Sequence, residues 1–300
     1  EANRLKVEEA IQRLNFKPNV LAQCLAKGKN DTIALVIPRY EGIFFSFYAN
    51  QIIRGVGVAA ENLKLDLLLH LSTGRDVVNT MVTGGILFAD IIGNLTSLQS
   101  ALQAQIPCVV MNYFMDEPPV NCISIDNVNG AQQAVEYLIH LGHRNIAHIT
   151  GDLKSQSAQQ RLDGYQRTLA KHDIRPKEAF VKEGDYSRPS ARKAMSSLLA
   201  SKMRPSAVFC ASDDMAEEAI AVIFEHGLKV PEDISLIGFD DNPLCLYGSV
   251  SLTTIRQPLI EMAAEATSLL HKIMSSKTTP PPTKITLPTK LIIRDSCRQI

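Results

Sequence analysis

Two consecutive carboxylates, Asp240 and Asp241, follow the short apolar run at residues 234–239. An apolar run of this length is typical of a strand that is buried on both faces of a parallel sheet. Ligands of open α/β sheets bind outside the carboxyl ends of the strands, so the sequence predicts that Asp240 contacts a ligand. The alternative is that a carboxylate here caps the following turn, which fits Asp241 better than Asp240.

Motifs that would indicate a catalyst are missing from the sequence. Gly55 and Gly57 belong to a relaxed dinucleotide-binding pattern, but they lie inside a predicted helix, whereas that motif must follow a strand and open a helix. His140, His143 and His148 span a helix end and a strand, which is poor geometry for metal ligands. No phosphate-binding loop and no nucleophile elbow is recognisable. We therefore predict a protein that is not an enzyme and has no catalytic residue, metal site or cofactor.

From residue 32 onward, short apolar runs alternate with segments of helical periodicity. Strands are predicted at residues 32–37, 65–71, 85–89, 108–111, 121–125, 145–150, 180–182, 206–210, 234–239 and 290–294. Helices are predicted at residues 47–62, 95–105, 130–141, 158–171, 189–201, 215–227 and 259–274. This alternation predicts right-handed β–α–β units and parallel sheets. The units are too many for one ordinary sheet, so the expected fold class is α/β with two sheets.

Charge and composition narrow the class of protein. Lys plus Arg and Asp plus Glu both total 31, so the chain as a whole does not have the charge of a polyanion binder. The 6 cysteines are scattered, with no Cys-x-x-Cys pair, which is typical of a reducing compartment. No apolar run is long enough to span a bilayer, and the first residues do not resemble a signal peptide. We expect a cytoplasmic protein with no membrane partner, whose natural N-terminus lies upstream of Glu1.

A series of short runs, taken in order, is strongly specific, although each run alone is weak. They lie at residues 16–22, 126–130, 141–147, 161–164, 213–216, 230–235, 238–241 and 252–258. Among them are Phe-Lys-Pro-Asn-Val, Leu-Gly-His-Arg-Asn-Ile-Ala, Val-Pro-Glu-Asp-Ile-Ser and Gly-Phe-Asp-Asp. On these runs the chain resembles the LacI/GalR family of bacterial transcription regulators from end to end.

The resemblance implies a periplasmic-binding-protein-like core of type I, with two Rossmann-like lobes and a ligand cleft between them. Residues 1–30 would be the remnant of a DNA-binding headpiece with its hinge helix. The N-terminal lobe would comprise residues 31–125 and 255–282, and the C-terminal lobe residues 126–254 and 283–300. The stretch between residue 71 and Gly85 is too short for the helix that the family has there, so either that helix is shortened or residues are lacking.

The resemblance also carries over a set of effector-binding positions. Arg161 matches the arginine that forks onto ligand hydroxyls or a carboxylate, a contact that suits its planar donors. Asp240 matches the aspartate that accepts from hydroxyl or ring N–H groups. Phe44 and Phe45 match aromatic residues that cover an apolar ring face. The full set is Phe44, Phe45, Asn112, Ser155, Ser157, Arg161, Tyr186, Ser212 and Asp240.

Some of these positions have a plainer interpretation or depart from the family. Without the resemblance, Arg161 would be interpreted as a surface arginine of a helix, and Phe44 and Phe45 as core residues. Asn112 and Ser212 stand where sugar-binding relatives often carry Asp and Asn. A phosphate would need more than one cation, so the expected effector is a neutral or singly charged polyhydroxyl molecule, such as a sugar or sugar derivative.

The N-terminal residues resemble the part of the family that contacts DNA. Residues 1–15 resemble the last helix of a helix-turn-helix headpiece without its recognition helix, so this chain should bind an operator poorly. Residues 20–27 resemble the hinge helix, and Leu25 matches the leucine that wedges between base steps of the minor groove. Gln23 and Cys24 replace the usual Arg-Ser. The predicted DNA-binding positions of this hinge are Asn19, Ala22, Gln23, Leu25 and Lys27.

The resemblance thus implies a dimeric repressor or activator whose operator affinity changes when an effector stabilises one arrangement of the lobes. The alternative is a solute-binding protein of a sugar transporter, which has the same fold without the DNA-binding segment. A cleaved leader upstream of Glu1 would favour that alternative, whereas the hinge-like segment favours the regulator.

Overall fold

The computed structural model describes residues 10–11, 13–14, 30–39, 43–76, 78, 83–276, 278 and 280–300. The first part of the chain forms β1 (Thr32–Pro38), α1 (Phe47–Asn62), β2 (Asp66–Ser72), β3 (Gly85–Phe88), α2 (Leu95–Gln103), β4 (Cys108–Met111) and β5 (Asn121–Ile125). The second part forms α3 (Asn127–His140), β6 (Ile146–Ile149), α4 (Gln156–Lys171), β7 (Val181–Lys182), α5 (Arg188–Leu199), β8 (Ala207–Cys210), α6 (Asp213–Glu225), β9 (Ser235–Asp240) and β10 (Thr253–Arg256). The chain ends with α7 (Leu259–Ser275), β11 (Lys284–Leu287) and β12 (Lys290–Ile292).

Two sheets of 6 strands each define two lobes. The first sheet has the order β11-β5-β4-β3-β1-β2, and all of its pairings are parallel. The second sheet has the order β12-β10-β9-β8-β6-β7, in which β12 alone runs antiparallel to its neighbour. The α/β class with two lobes of mostly parallel strands is therefore confirmed.

Helices cover both faces of each sheet, and this explains why the central strands β3, β4, β6, β8 and β9 are buried at every position. In the first lobe, Ile52 of α1 and Met262 of α7 pack on one face, and Leu98 of α2 packs on the other. In the second lobe, α3 and α4 cover one face, with Tyr165 fully buried, whereas α5 and α6 cover the opposite face. Burying apolar surface on both faces is the main force that holds each lobe together.

The chain crosses between the lobes after β5, after β10 and after β11. The predicted boundaries at residues 254/255 and 282/283 are wrong by a few residues, because Thr253–Arg256 pairs within the second sheet and Lys284–Leu287 pairs with β5 of the first. The crossings therefore lie near Asp126, at Gln257–Pro258 and at Pro288–Thr289. The strand at Lys284–Leu287 was not predicted from the sequence. The interpretation of residues 1–30 falls almost entirely outside the described residues, as do most of residues 77–82.

Candidate functional site

The carboxyl ends of the strands carry most of the predicted effector-binding residues. In the first lobe, Asn112 directly follows β4. In the second lobe, Ser155, Tyr186 and Ser212 lie in the segments that follow β6, β7 and β8, and Asp240 is the last residue of β9. Parallel strands present these ends along one edge of the sheet, where ligands of open α/β folds bind.

Asp240 is a buried carboxyl group on a strained backbone. Its φ of 142° is rare for a residue other than glycine, and such outliers cluster at functional sites. The backbone N–H of Asp213 donates to Oδ2 at 3.4 Å, and the side-chain amide of Gln257 donates to Oδ1. Burial raises the pKa of Asp240 well above its ordinary value, the Asp213 carboxylate raises it further, and the Arg161 guanidinium opposes the shift.

Asp241 does not cap the turn that follows β9, so that interpretation of the sequence was wrong. Its carboxylate instead accepts hydrogen bonds from Arg256 at 2.6 Å and Arg294 at 2.5 Å. The cap is the next residue, Asn242, whose side chain accepts from the N–H of Leu244. Asp241 therefore links the end of β9 to β10 and to the segment after β12. Its carboxylate is bound to two cations, unlike that of Asp240.

Arg161 is fixed inside the second lobe and is 3% exposed. It lies on α4, one turn after Ser157, on the face that packs against the sheet. Nε donates to Asn127 Oδ1 at 2.9 Å, and Nη1 donates to the Ala211 carbonyl at 2.5 Å. The guanidinium carbon lies 3.7 Å from the centre of the Phe239 ring, a cation–π contact. No described residue accepts a hydrogen bond from Nη2, which leaves donors for a ligand.

Three hydroxyl groups form a cluster at the amino end of α4. Ser157 Oγ lies 3.4 Å from Ser155 Oγ and 3.3 Å from the Tyr186 hydroxyl, and Ser155 Oγ lies 3.5 Å from the same hydroxyl. Ser155 also caps α4, since its side chain accepts from the N–H of Ala158 at 3.2 Å. Each hydroxyl can donate and accept, so the cluster suits a polyhydroxyl ligand.

A second buried carboxyl group, Asp213, was missed by the sequence reasoning. It follows Ser212, which caps α6 by accepting from the N–H of Met215. Asp213 is fully buried, and its two oxygens accept from the Thr254 hydroxyl at 2.5 Å and from the N–H of Asn242 at 2.8 Å. Burial raises the pKa of Asp213 to about 7. The run at residues 213–216 was a family signal, but the sequence did not show that Asp213 would face Asp240.

The predicted effector-binding residues of the first lobe are Phe44, Phe45 and Asn112. Phe44 and Phe45 are 59% and 89% exposed in a short 3-10 helix, Ile43–Phe45, so they are not core residues. Their rings make no described contact with the second lobe, and their role stays a prediction. Asn112 is 8% exposed with a φ of 58°, and its Oδ1 is buried with no partner among the described residues.

Several other predictions concern features outside these contacts. The predicted hinge positions Asn19, Ala22, Gln23, Leu25 and Lys27 lie outside the described residues. Within the described part of the chain, no group of His, Cys, Asp or Glu side chains is arranged to hold a metal ion. In the same ranges, none of the helices is long and apolar enough to cross a membrane.

Comparisons with known proteins agree with this geometry. A family model described as a periplasmic binding protein-like domain matches residues 135–297. The chain is 35% identical over 304 residues to the probable HTH-type transcriptional repressor ExuR of Bacillus subtilis (strain 168), covering 100% of this chain and 91% of that protein.

Two solved structures resemble the whole chain. One is a complex of the transcriptional regulator CelR with cellobiose, which has a TM-score of 0.84 and 30% identity and covers 98% of this chain and 90% of that one. The other is the lac repressor dimer bound to operator and the anti-inducer ONPF, which has a TM-score of 0.84 and 27% identity over the same shares. The sequence match over the full chain, together with this fold, shows that the chain belongs to the LacI family of transcription regulators, with a periplasmic-binding-protein-like effector domain.

Proposed function

We propose that the chain is the effector-responsive part of a dimeric regulator, in which a sugar or sugar derivative bound between the lobes changes the affinity for operator DNA. The observation that carries this proposal is that Arg161 stacks on the ring of Phe239, the residue directly before the buried Asp240. Arg161 has donors to spare, and it lies close enough to the buried Asp240 carboxyl for its charge to oppose the rise in the pKa of that group. A vicinal pair of sugar hydroxyls could accept from the first and donate to the second.

The rest of the site fits the same class of ligand. Ser155, Ser157 and Tyr186 offer hydroxyls beside Arg161, and they carry no charge that would favour a phosphate. The exposed rings of Phe44 and Phe45 are available to cover the apolar face of a sugar ring. The cellobiose complex of the CelR relative supports a sugar ligand, and the ligand of this chain has to be identified by experiment.

Regulation would follow from the way the lobes are joined. An effector can shift the lobe arrangement only to the extent that it binds the two arrangements with different affinity. In a dimer, a moving N-terminal lobe would change the separation of two DNA-binding segments. The lac repressor dimer on its operator supports this arrangement. We extend the proposal to the cytoplasm as the site of action, and to an effector that is bound without being chemically altered.

A thermal-shift screen tests the proposal, because a ligand that binds only the folded state raises the melting temperature. The panel contains glucose, ribose and cellobiose as neutral sugars, galacturonate as a sugar carboxylate, glucose 6-phosphate and adenosine. We expect a shift with a neutral sugar or the carboxylate, and we expect Arg161→Ala to abolish it.

The matched control is Arg167→Ala on the same helix, which removes an exposed arginine paired with Asp163 and should leave the shift intact. A shift caused by adenosine alone, or an equal shift in the Arg161→Ala protein, would contradict the proposal.

A further inference from the structure

A side chain of the second lobe grips the backbone of the first. The N–H of Phe114 donates to Gln156 Oε1 at 2.8 Å, and Gln156 Nε2 donates to the carbonyl oxygen of Phe114 at 2.9 Å. This orientation of the amide is the one that satisfies both partners, because a backbone N–H only donates and a carbonyl only accepts. We call this pair of hydrogen bonds the Gln156–Phe114 clasp.

The clasp joins two segments that both carry predicted effector residues. Phe114 lies two residues after Asn112, in the segment that follows β4 of the first lobe. Gln156 is the first residue of α4 in the second lobe and stands between Ser155 and Ser157. It is a non-covalent connection, separate from the three covalent crossings. The clasp therefore spans the cleft at the edge where the two halves of the effector site face each other.

We propose that Gln156 is an interlobe positioning residue, which holds the Asn112 segment of the first lobe over the Ser155–Ser157 turn of the second and so favours the closed arrangement before any effector binds. Its regulatory meaning rests on the proposed function. The clasp itself does not, because it can be tested without effector or DNA.

The two hydrogen bonds form and break together. Both join the same amide group to the same residue, so a lobe rotation that separates Phe114 from α4 beyond hydrogen-bonding distance breaks both bonds. No other described group accepts from the Phe114 N–H or donates to its carbonyl, so opening leaves both to water. An effector that contacts residues of both lobes would find part of the cost of lobe ordering already met, which increases its apparent affinity.

Hydrogen exchange of the Phe114 amide reports loss of the clasp in the effector-free chain, and small-angle X-ray scattering of the same protein reports whether the lobes separate. The exchange rate of a protected amide reports the population of the open state. We expect Gln156→Met, which keeps the side-chain length but removes donor and acceptor, to speed exchange at Phe114 about thirtyfold, as the loss of two hydrogen bonds of typical net strength implies. Gln156→Ala should act in the same direction, and both variants should increase the radius of gyration.

The matched control is Gln159→Ala on the same helix. The Gln159 amide donates to the Leu153 carbonyl at 2.7 Å within its own lobe, so its loss should leave Phe114 exchange unchanged. Equal Phe114 exchange in the wild-type and Gln156→Met proteins would overturn the proposal. Faster exchange with an unchanged radius of gyration would overturn it too, because Gln156 would then protect one amide without holding the lobes. An increase spread equally over β6 and β8 would also overturn it, because Gln156 would then support the fold and not the lobe arrangement. None of these results depends on whether a sugar binds.

Discussion

Gly151 lies so close to Tyr186 that a Cβ atom added to the glycine would stand 2.1 Å from Cζ of the tyrosine ring. The ring thus rests on the backbone at the end of β6, and this contact points its hydroxyl at Ser155 and Ser157. Tyr186 itself has a φ of 68°, so its own backbone is also held in an uncommon conformation. A residue without a side chain therefore sets the position of the hydroxyl cluster.

We expect Gly151→Ala to displace the Tyr186 ring and weaken effector binding by roughly tenfold or more, because a well-placed hydrogen bond is worth about 1 kcal/mol and several depend on this ring. Binding of the sugar identified by thermal shift, measured by calorimetry, checks this. The control is Gly57→Ala in α1, where an added Cβ meets no atom within 4 Å. That change should stabilise the fold by about 0.5–1 kcal/mol and leave binding unaltered. Equal binding by both variants would contradict the role of Gly151.

Ser155 caps a helix and is also predicted to contact the ligand. Comparison with Ser187, which only caps a helix, distinguishes these two roles. Ser187 caps α5 as Ser155 caps α4, by accepting from the N–H three residues ahead at 3.3 Å. Ser155→Ala and Ser187→Ala should each lower the free energy of unfolding by about 1 kcal/mol, measured with urea. Only Ser155→Ala should also weaken sugar binding. If both variants bound the sugar like the wild type, Ser155 would be a helix cap and nothing more.

Elements with strong local signals could be predicted from the sequence. The helix Phe47–Asn62 and the strands Cys108–Met111 and Asn121–Ile125 lie where their periodicity and burial placed them. The strand Lys284–Leu287 was missed because it lies at a sheet edge, where the side chains of Lys284 and Thr286 are exposed. It also follows a run of prolines, which is typical of a loop. Its pairing with β5 depends on a partner about 160 residues away, which no local pattern reveals.

The candidate site could likewise be predicted only in part. Asp240 could be named from its place at the end of an apolar run, and Arg161 because it matches a family position; both side chains are buried. The partners that orient them could not: Asn127 fixes Arg161, and Gln257 at a lobe crossing donates to Asp240. These contacts arise only when separate β–α units are brought to one sheet edge. The clasp of Gln156 was equally invisible, since nothing in a glutamine between two serines indicates a backbone partner in the other lobe.

The buried carboxyl groups of Asp213 and Asp240 should make the stability of the fold fall as the pH rises. Burial raises the pKa of Asp213 to about 7, from an ordinary value of 3.8 in the unfolded chain. Between these values the folded protein holds a proton that the unfolded chain has released. Its contribution to stability is therefore present at acidic pH and is lost as the pH rises toward about 7.

Asp213→Asn should reduce this loss of stability with rising pH in two ways. It removes the Asp213 carboxyl group itself, and it removes the like charge that helps to raise the pKa of Asp240. The wild type should lose about 2 kcal/mol more than the variant between about pH 5 and about pH 7, since one proton contributes about 1.4 kcal/mol per pH unit. Urea unfolding at several pH values measures the difference.

The comparison uses the slope of the free energy of unfolding against pH, and not the absolute free energy of unfolding. The Asn amide must turn its NH2 toward either the Thr254 hydroxyl or the Asn242 N–H, which changes the free energy of unfolding of the variant by an amount that does not depend on pH. Asp163→Asn, which removes an exposed carboxylate on α4, controls for the loss of one acidic group. Parallel slopes for the wild-type and Asp213→Asn proteins would mean that the Asp213 carboxyl is already ionised at pH values well below about 7, held so by its two donors.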